Sequence, residues 1–394
     1  MPSLLFAVLL LVGVGAAYLY LFAVASIRVP CALPSNTPRH SFAIAIPAHD
    51  EQTVIGATVT RLLEQDYPRH LFHVFVVADH CNDMTPREAR AAGATCWERT
   101  DEPRGGKGAA LAWLFKRIFA SGASYDAVVV FDADTQVNPS FLRVMDARLQ
   151  QGVQVIQGCH RILNPQDGWF AALTWAMFIV DNRFQNLGRA NLGWSAKNMG
   201  DSICFRADLL RRLGWGEGLT EDYEFRQKLL LEGIHIQYEP AAMGYGEAPV
   251  TWTAARAQRA RWLSGTFHAS RRYAWTMLRQ GLWQRNGALL DGALQAFMPS
   301  YSTLTLASLI LLALSAFIVP ALIYAWAAIV TLLALYPILG LVLERAPRRA
   351  YIAIALGPFF IVWRTVLSIS ARFGKPVQWV RTARRGSIQT GVEK

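Results

Sequence analysis

The sequence predicts an α/β domain built on a parallel sheet, with apolar segments long enough to cross a membrane on either side of it. The first observation is an uncharged run over residues 4–25. The second is an alternation of short β-rich runs with helical patterns between residues 42 and 158. The third is a pair of uncharged runs, 300–319 and 321–343. With 53% hydrophobic and 17% charged residues among 394, the chain is too apolar for an ordinary soluble protein and too mixed to lie wholly in a membrane.

Residues 4–25 have the length of a spanning helix. At about 1.5 Å rise per residue, this run exceeds the roughly 30 Å of hydrocarbon in a bilayer. A secretory signal carries basic residues before its apolar run and a small-residue cleavage site after it, whereas here Arg28 follows the run. We therefore predict a retained membrane anchor over residues 1–28 rather than a cleaved signal.

The alternating region predicts a domain outside the bilayer over residues 38–280. That region has no run of spanning length and carries most of the charge. Alternation of this kind is typical of a parallel sheet with helices on both faces. The predicted strands are residues 42–46, 73–78, 127–131 and 153–158, and the predicted helices are residues 53–65, one from Gly105 and one from Ser140.

Residues 281–299 mix apolar and polar side chains and are too short to span. We predict an amphipathic helix at the membrane surface. A helix in the core of the domain is an equal alternative.

Residues 300–371 are predicted to be the C-terminal membrane region. Its two uncharged runs are separated by Pro320 and predict a hairpin of spans. Residues 351–371 form a third candidate, but Gly357-Pro358 and Arg364 are costly inside a simple span. We expect this candidate not to cross, so that the tail over residues 372–394 lies on the side of the domain. The alternative is that residues 281–299 also cross.

The net charge of +11 indicates membrane orientation rather than nucleic-acid binding. Basic residues near apolar runs mark cytoplasmic ends. We expect a multi-pass protein of a bacterial inner membrane, with the bilayer as a partner, the domain and tail in the cytoplasm, and no nucleic-acid partner. The five cysteines include no C-x-x-C pair, which indicates neither a disulfide framework nor a zinc site and fits a reducing compartment. The basic residues beside the apolar runs are Arg345, Arg348, Arg349, Arg372, Lys375, Arg381, Arg384 and Arg385.

Acidic residues follow several of the predicted strands. Ligands of open α/β sheets bind at the carboxyl ends of the strands, so these carboxylates should meet at one edge of the sheet. Such a concentration of negative charge requires a cation. The residues are Asp50, Glu51, Asp79, Asp83, Asp132 and Asp134.

Asp132 and Asp134 are two residues apart directly after a predicted strand, so their side chains point to the same side. A hard divalent cation such as Mg²⁺ or Mn²⁺ prefers one or two carboxylates together with substrate phosphates. The pair therefore fits a nucleotide diphosphate. A helix-capping role remains open, because Asn138-Pro139 opens a helix shortly afterwards.

Lys107 lies in a glycine-rich loop over residues 104–108. The loop lacks the spacing of a Walker motif. A lysine at a glycine-rich helix start can still contact a sugar or phosphate oxygen, because exposed amides and the helix dipole favour anions there. On its own the loop does not establish this contact.

Thr220-Glu221-Asp222 precedes a helical pattern over residues 223–232. A capping role for Thr220 or Asp222 is one interpretation, but capping requires only one such residue. The other is catalytic, because a carboxylate beside a bound diphosphate and metal can accept a proton from an attacking hydroxyl.

Gln258, Arg259, Arg261 and Trp262 lie in a helical stretch just before residues 281–299. Arginine suits bidentate phosphate contact, and the face of a tryptophan ring can pack on a sugar. Basic residues at a membrane surface are the alternative.

These motifs resemble the membrane-bound and processive members of glycosyltransferase family 2, which includes cellulose, chitin and hyaluronan synthases. The resemblance covers residues 40–390, and Asp50 stands where the family usually has asparagine. The matching residues are Pro47-Ala48-His49-Asp50-Glu51, Asp79, Asp83, Gly106-Lys107-Gly108, Asp132, Asp134, Thr220-Glu221-Asp222 and Gln258-Arg259-Ala260-Arg261-Trp262.

The resemblance implies a GT-A (Rossmann-like) fold, a UDP-sugar donor, metal assistance by Mg²⁺ or Mn²⁺, and inversion at the anomeric carbon. It also implies roles for individual residues. Asp222 is the base, Glu221, Gln258 and Trp262 meet the acceptor, and Asp132 and Asp134 bind the metal. The donor-binding residues it implies are Asp50, Glu51, Asp79, Lys107, Asp132, Asp134 and Arg261.

The tail contains a further match. Residues 379–384 resemble the gating loop of cellulose synthase, which implies that Thr382 and Arg384 close over the diphosphate. A solvated basic tail is the alternative.

The favoured function is a hexosyltransferase that adds sugar to a saccharide, in polysaccharide biosynthesis. A second hypothesis keeps the chemistry and changes the acceptor to a ceramide-like or other membrane lipid. One N-terminal and about three C-terminal spans are few to line a polysaccharide channel. A membrane scaffold or transporter is disfavoured, because it has no need of the acidic set.

Overall fold

The structure is a computed structural model that describes residues 2–30, 37–102, 105–216 and 220–373. A mixed sheet of eight strands forms the centre of the domain. Its spatial order is β3-β2-β1-β4-β7-β6-β8-β5. The strands are β1 (Phe42–Ala48), β2 (Phe72–Asp79), β3 (Thr95–Arg99), β4 (Ala127–Val130), β5 (Gln136–Val137), β6 (Val155–Ile162), β7 (Ile203–Arg206) and β8 (Ile236–Gly246).

Helices cover both faces of the sheet and extend away from it at both ends of the chain. A π-helical segment, Asp181–Leu187, joins α6 to α7. The helices are α1 (Pro2–Ala25), α2 (Ile55–Leu63), α3 (Thr85–Ala91), α4 (Gly106–Ala120), α5 (Phe141–Gln150), α6 (Trp169–Val180), α7 (Gly188–Asn191), α8 (Ala207–Leu213), α9 (Glu221–Leu231), α10 (Trp252–Gln284), α11 (Gly287–Phe297), α12 (Tyr301–Ile318), α13 (Ile323–Leu343), α14 (Arg348–Ala355) and α15 (Gly357–Phe373).

The central strand β1 supplies both cores of the domain. Its side chains alternate between the two faces of the sheet, as in any strand. Ile44 packs in a cluster with Val59 of α2, whereas Ala45 packs in a second cluster with Leu114 of α4 and Phe225 of α9. The predicted two-sided covering of the sheet is therefore confirmed.

The sheet is mixed, which corrects the expectation of a parallel one. β1 to β4 run parallel to one another, but β7 runs antiparallel to β4 and β6, and β5 runs antiparallel to β8. β7 enters the sheet from the edge where β4 ends, since the backbone N–H of Asp132 donates to the Asp201 side chain just before β7. A strand entering from that edge has to run in the opposite direction.

The carboxyl ends of the parallel strands lie at one edge of the sheet. Ala48 pairs with Ala78 and Asp79 with Arg99, so β1, β2 and β3 end at the same level. Asp50 and His80 directly follow β1 and β2 and have positive φ angles of 53° and 51°. Such backbone is uncommon outside glycine and concentrates at functional sites.

The segment predicted to lie at the membrane surface is helical and packs on the domain. α10 continues to Gln284, and α11 begins at Gly287 after Asn286, whose side chain accepts from the amides of Ala288 and Leu289. Ala293 of α11 is buried, while Phe297 is half exposed. α11 contacts α9 and α10, which is the packing expected of a core helix.

Three helical stretches in the described chain are long and apolar enough to cross a membrane: Leu5–Ala25, Tyr301–Ile318 and Pro320–Leu343. They pack on one another through side chains such as Val12, Leu304 and Trp326.

A fourth candidate span is broken. Arg348–Ala355 and Gly357–Ser370 meet at an angle of 57°, at the Gly357-Pro358 position where the sequence predicts an interruption. α15 contacts α10 of the domain, and Phe360 packs on Phe170 of α6. This packing is in line with a segment that does not cross, which stays a prediction.

Candidate active site

Asp132 and Asp134 lie just beyond the end of β4. The side chain of Asp132 is 39% exposed and receives a hydrogen bond from Lys107. Asp134 is buried, and its Oδ2 accepts from the backbone N–H of Glu247 at 3.2 Å. The nearby helix α5 has Ser140 at its N-cap, without a side-chain capping bond. The hydrogen bonds of the two carboxylates therefore do not fit the capping alternative.

Lys107 extends from the first turn of α4 toward the end of β4. Its Nζ donates to Asp132 Oδ1 at 2.5 Å and to the carbonyl oxygen of Gly200 at 2.7 Å. Burial alone would lower the pKa of Lys107, but the charges of Asp132, Glu221 and Asp201 raise that pKa well above its usual value. The ammonium is thus held in its charged form among carboxylates.

Asp201 was not among the residues predicted from the sequence. Its Oδ1 accepts from the backbone N–H of Asp132 at 2.9 Å and from Thr135 Oγ1 at 3.0 Å, and its Oδ2 lies 2.5 Å from His160 Nδ1. Burial opposes ionisation, yet the charge of His160 holds the pKa of Asp201 below its usual value. The available signal was the Gly-Asp-Ser run directly before the apolar strand β7.

Glu221 and Asp222 form the first turn of α9. Thr220 occupies the N-cap position but makes no side-chain capping bond. Asp222 Oδ1 accepts from the backbone N–H of Tyr223 at 2.8 Å. Burial raises the pKa of Glu221 to about 7, and the charge of Asp222 adds to that shift. Burial also raises the pKa of Asp222, against the lowering effect of Lys107.

Two glycines bring this turn close to the Lys107 helix and to the loop before β7. A Cβ on Gly200, which has a φ of +73°, would lie 3.0 Å from Asp222 Oδ2. A Cβ on Gly108 would lie 2.9 Å from the Glu221 Cβ. A larger residue at either position would force the carboxylates of α9 away from Lys107 and Asp132.

Gln258, Arg261, Trp262 and Gly265 share one face of α10, because residues three, four and seven apart lie above one another on a helix. A Cβ on Gly265 would lie 2.5 Å from Thr220 Cγ2, so this face rests on the start of α9. Burial lowers the pKa of Arg261, opposed by the charges of Glu221, Asp132 and Asp222.

Arg259 has a different environment from Arg261. It is buried, its guanidinium lies over the rings of Phe170 and Phe360, and it donates to Thr174 Oγ1 at 3.1 Å. Burial, and then the charge of Arg364, lower the pKa of Arg259 to about 9. Arg259 therefore joins α10 to α6 and α15, whereas Arg261 faces the carboxylates.

Asp50, Glu51 and Asp79 lie at the ends of β1 and β2. Asp79 is buried and forms an ion pair with Arg99 at 2.6 Å. Asp50 Oδ1 accepts from the backbone N–H of Asn82 at 2.8 Å, and Glu51 is also buried. The structure places these residues at the same edge of the sheet as Asp132, and their donor-binding roles stay predictions.

Asp83 has a structural role at the same edge. Its Oδ1 accepts from both the backbone N–H and the hydroxyl of Thr85, at the start of α3. Next to it, the ligand atoms of His49, Asp50 and Cys81 lie within 4.8 Å of one another and could hold a metal ion. Burial raises the pKa of the Cys81 thiol to about 11, which disfavours a thiolate ligand.

Of the predicted site residues, Thr382 and Arg384 lie outside the described residues. Gln258 and Trp262 lie on the same face of α10 as Arg261. The others fall into two groups at one sheet edge: the acidic ends of β1 and β2, and the set formed by Lys107, Asp132, Asp134, Glu221, Asp222 and Arg261. The second group is a compact alternation of cations and carboxylates.

A mixed α/β sheet with such a group at the carboxyl ends of its strands defines a glycosyltransferase of the GT-A class. Residues 38–265 match the family model described as glycosyltransferase like family 2. The chain belongs to this family.

Two curated relatives are similar to this chain in sequence. The chain is 26% identical over 241 residues to the probable glycosyltransferase YdaM of Bacillus subtilis (strain 168), covering 56% of this chain and 54% of the relative. It is 26% identical over 234 residues to beta-monoglucosyldiacylglycerol synthase of Trichormus variabilis, covering 57% and 48%. The chain spans about half the length of these relatives.

Among solved structures, the fold is similar to the mannosyltransferase PcManGT from Pyrobaculum calidifontis, determined in complex with GDP-Man and Mn²⁺. The TM-score is 0.57 at 18% identity, over 94% of this chain and 98% of that one. The similarity in fold therefore extends over nearly the whole chain.

Proposed function

We propose that the protein transfers a hexose, with inversion, from a UDP-sugar to a hydroxyl group of a membrane lipid, with a divalent cation at Asp132 and Asp134. The observation that carries the proposal is the convergence of Lys107 and Arg261 on the carboxylates of Asp132 and Asp222. Positive side chains suit a diphosphate, and a carboxylate among them suits proton removal.

Asp222 is the proposed base. It takes the proton of the acceptor hydroxyl as the new bond from oxygen to the anomeric carbon forms and the bond from that carbon to the diphosphate breaks, releasing UDP. Burial raises the pKa of Asp222, which strengthens the carboxylate as a base. Its contact with Gly200 leaves no room for a side chain at that position.

Lys107 and Arg261 are proposed to stabilise the leaving diphosphate. Charge builds up on that group in the transition state, and fixed cations in a site shielded from water act strongly on it. Both side chains lie near Glu221 and Asp132, so they are positioned before substrate arrives.

Asp132 and Asp134 fit a hard cation, because both offer carboxylate oxygens and the Asp132 side chain is partly exposed. A bound Mg²⁺ or Mn²⁺ would neutralise diphosphate charge. Chelation with EDTA, or Asp134→Ala, should abolish UDP binding measured by calorimetry. The exposed Asp208→Ala serves as a control. Donor binding that survives chelation would overturn metal assistance.

A lipid acceptor is supported by the surroundings of the site. The described chain has three helices long and apolar enough to span a membrane, or up to four with the broken pair, which are few to enclose a polymer channel. Where α10 meets α15, Trp252, Trp262 and Phe359 are 41%, 38% and 62% exposed. Exposed aromatic rings beside apolar helices suit an acceptor that is partly held in lipid. One relative is named beta-monoglucosyldiacylglycerol synthase.

The test supplies labelled UDP-sugars to the purified full chain with either a membrane lipid extract or oligosaccharides, and separates products by thin-layer chromatography. A labelled, organic-soluble product that is absent with Asp222→Asn is expected. A water-soluble oligosaccharide product would overturn the lipid acceptor and keep the donor chemistry. No sugar transfer above the Asp222→Asn background with any donor would overturn the proposal.

A further inference from the structure

A cavity of about 260 Å³ lies between the domain and the ends of two spanning helices. Its lining includes Val29, Arg161, Trp175, Arg183, Glu344 and Arg345. It lies on the opposite side of β6 from the carboxylate group, because neighbouring strand residues face opposite ways. His160 faces Asp201 of the candidate active site, whereas Arg161 lines the cavity.

The cavity lies beside the ends of two helices that could span a membrane. Val29 follows the spanning stretch Leu5–Ala25 by four residues, and Glu344 directly follows Leu343, the last residue of Pro320–Leu343. Both spans therefore reach the domain at this cavity. Trp175 and Ile179 add apolar side chains to its wall. A ligand there could keep its acyl chains in the membrane.

The charge of the cavity is positive. Glu344 is a carboxylate in its lining, and it pairs with Arg183 at 3.1 Å and with Arg161 at 3.8 Å. Arg345 adds a third guanidinium and is exposed. Three arginines against one glutamate leave a net charge of about +2, which favours an anion.

Arg183 is the most buried of these cations. It is 6% exposed, and its Nη2 donates to the carbonyl oxygen of Ile27 at 3.1 Å. Its Nε is buried and has no hydrogen-bond partner among the described residues. The contacts with Glu344 and Ile27 hold the Arg183 guanidinium in place at the wall of the cavity.

We propose that this cavity binds the phosphate of an anionic phospholipid at the membrane surface. Arginine side chains match phosphate oxygens in planar, paired contacts. Basic pockets where spanning helices meet the headgroup region favour such lipids.

The cavity is connected to the candidate active site through one strand. Asn182 lines the cavity, and its Nδ2 donates to the carbonyl oxygen of His160 at 2.6 Å. The His160 ring pairs with Asp201, which accepts from the backbone of Asp132. A lipid in the cavity would therefore support the position of β6 beneath the carboxylates.

The test titrates the full chain in a zwitterionic detergent with phosphatidylglycerol or phosphatidylcholine and measures bound lipid by native mass spectrometry. The double variant Arg161→Gln with Arg345→Gln should weaken phosphatidylglycerol binding about 25-fold, from about fivefold for each arginine. The matched control, Arg348→Gln with Arg349→Gln, removes equal charge from exposed positions at the start of α14. It should change binding by less than about threefold, because neither Arg348 nor Arg349 lines the cavity.

A second variant tests the site independently, in case the first variant misfolds. Ala346→Phe fills the cavity and keeps every arginine, and it should also abolish phosphatidylglycerol binding. Equal losses in the two double variants, or full binding by Ala346→Phe, would overturn the site. Inorganic phosphate or glycerol 3-phosphate at millimolar concentration should not displace bound phosphatidylglycerol. If either displaces it as strongly as added phosphatidylglycerol does, the site binds free phosphates and the proposal of a lipid ligand is overturned.

Discussion

Arg189 and Asp291 are 102 residues apart in the chain and form a buried, two-bonded ion pair. Arg189 Nε donates to Asp291 Oδ2 at 2.9 Å, and Nη2 donates to Oδ1 at 3.1 Å. Asp291 also accepts from Tyr18 of α1 at 2.5 Å and from Arg226 of α9 at 3.4 Å. One carboxylate of α11 thus joins the N-terminal helix α1 to the helix that begins with Glu221 and Asp222.

Asp291→Ala should destabilise the protein strongly, because it leaves two buried arginines without their counter-ion. Breaking a buried ion pair from one side costs about 3–5 kcal/mol. Thermal unfolding of the detergent-solubilised protein measures the effect, with the exposed Asp208→Ala as control. An unchanged midpoint would show that water or other groups replace the carboxylate.

Asp222→Asn should remove turnover and keep UDP binding. The proposed base acts on the acceptor hydroxyl, and loss of a general base typically costs about 10² to 10⁴ in rate. Initial rates with saturating donor and calorimetric UDP affinity separate the two effects, with the exposed Asp208→Asn as control. Turnover at the wild-type rate would assign Asp222 to the structure of the α9 start.

Glu221 should make stability depend on pH. Its pKa rises from the usual 4.5 to about 7 in the folded protein, so folding favours the protonated form. The stabilisation that protonated Glu221 contributes is complete below about pH 4.5 and is lost as pH rises through about 7. Glu221→Gln should flatten the fall in melting temperature over this range, whereas the exposed Glu64→Gln should not. Parallel pH profiles of wild type and Glu221→Gln would contradict the raised pKa.

For the tail, which lies beyond the described residues, the resemblance to a gating loop predicts different effects for two adjacent arginines. If Arg384 closes over the diphosphate, Arg384→Ala should raise the Michaelis constant for the donor or lower turnover, and Arg385→Ala should do neither. A cation beside the leaving group supports its developing charge. Steady-state kinetics on both variants measure these effects. Equal effects of the two substitutions would indicate that the tail contributes only general positive charge at the membrane surface.

Topology supplies the last prediction. If residues 351–371 do not cross, the domain and the C-terminus lie on one side of the membrane. A reporter fused after Lys394 should then score the same as one placed in an exposed loop of the domain, such as the loop containing Gly122. Opposite scores would mean an additional crossing, and the tail could not gate the donor site.

Much of the domain could be predicted from local patterns. β1, β2 and β4 and the helix at Gly106 lie within a few residues of the predicted bounds, because an apolar run between turns specifies a buried strand by itself. β7 was missed. It is four residues long, and its direction depends on the neighbour that it joins.

Within the candidate site, the sequence alone pointed to Asp132, Asp222 and Arg261, because carboxylates after strands and arginines on a helix are recognisable by type and spacing. Their proximity was decided by tertiary structure, through the glycines that allow α4, α9 and α10 to approach. Asp201 and the Arg189–Asp291 pair emerged only from the fold. A buried charge is recognised by its partner, and partners distant in the chain meet only when the layers of the structure pack.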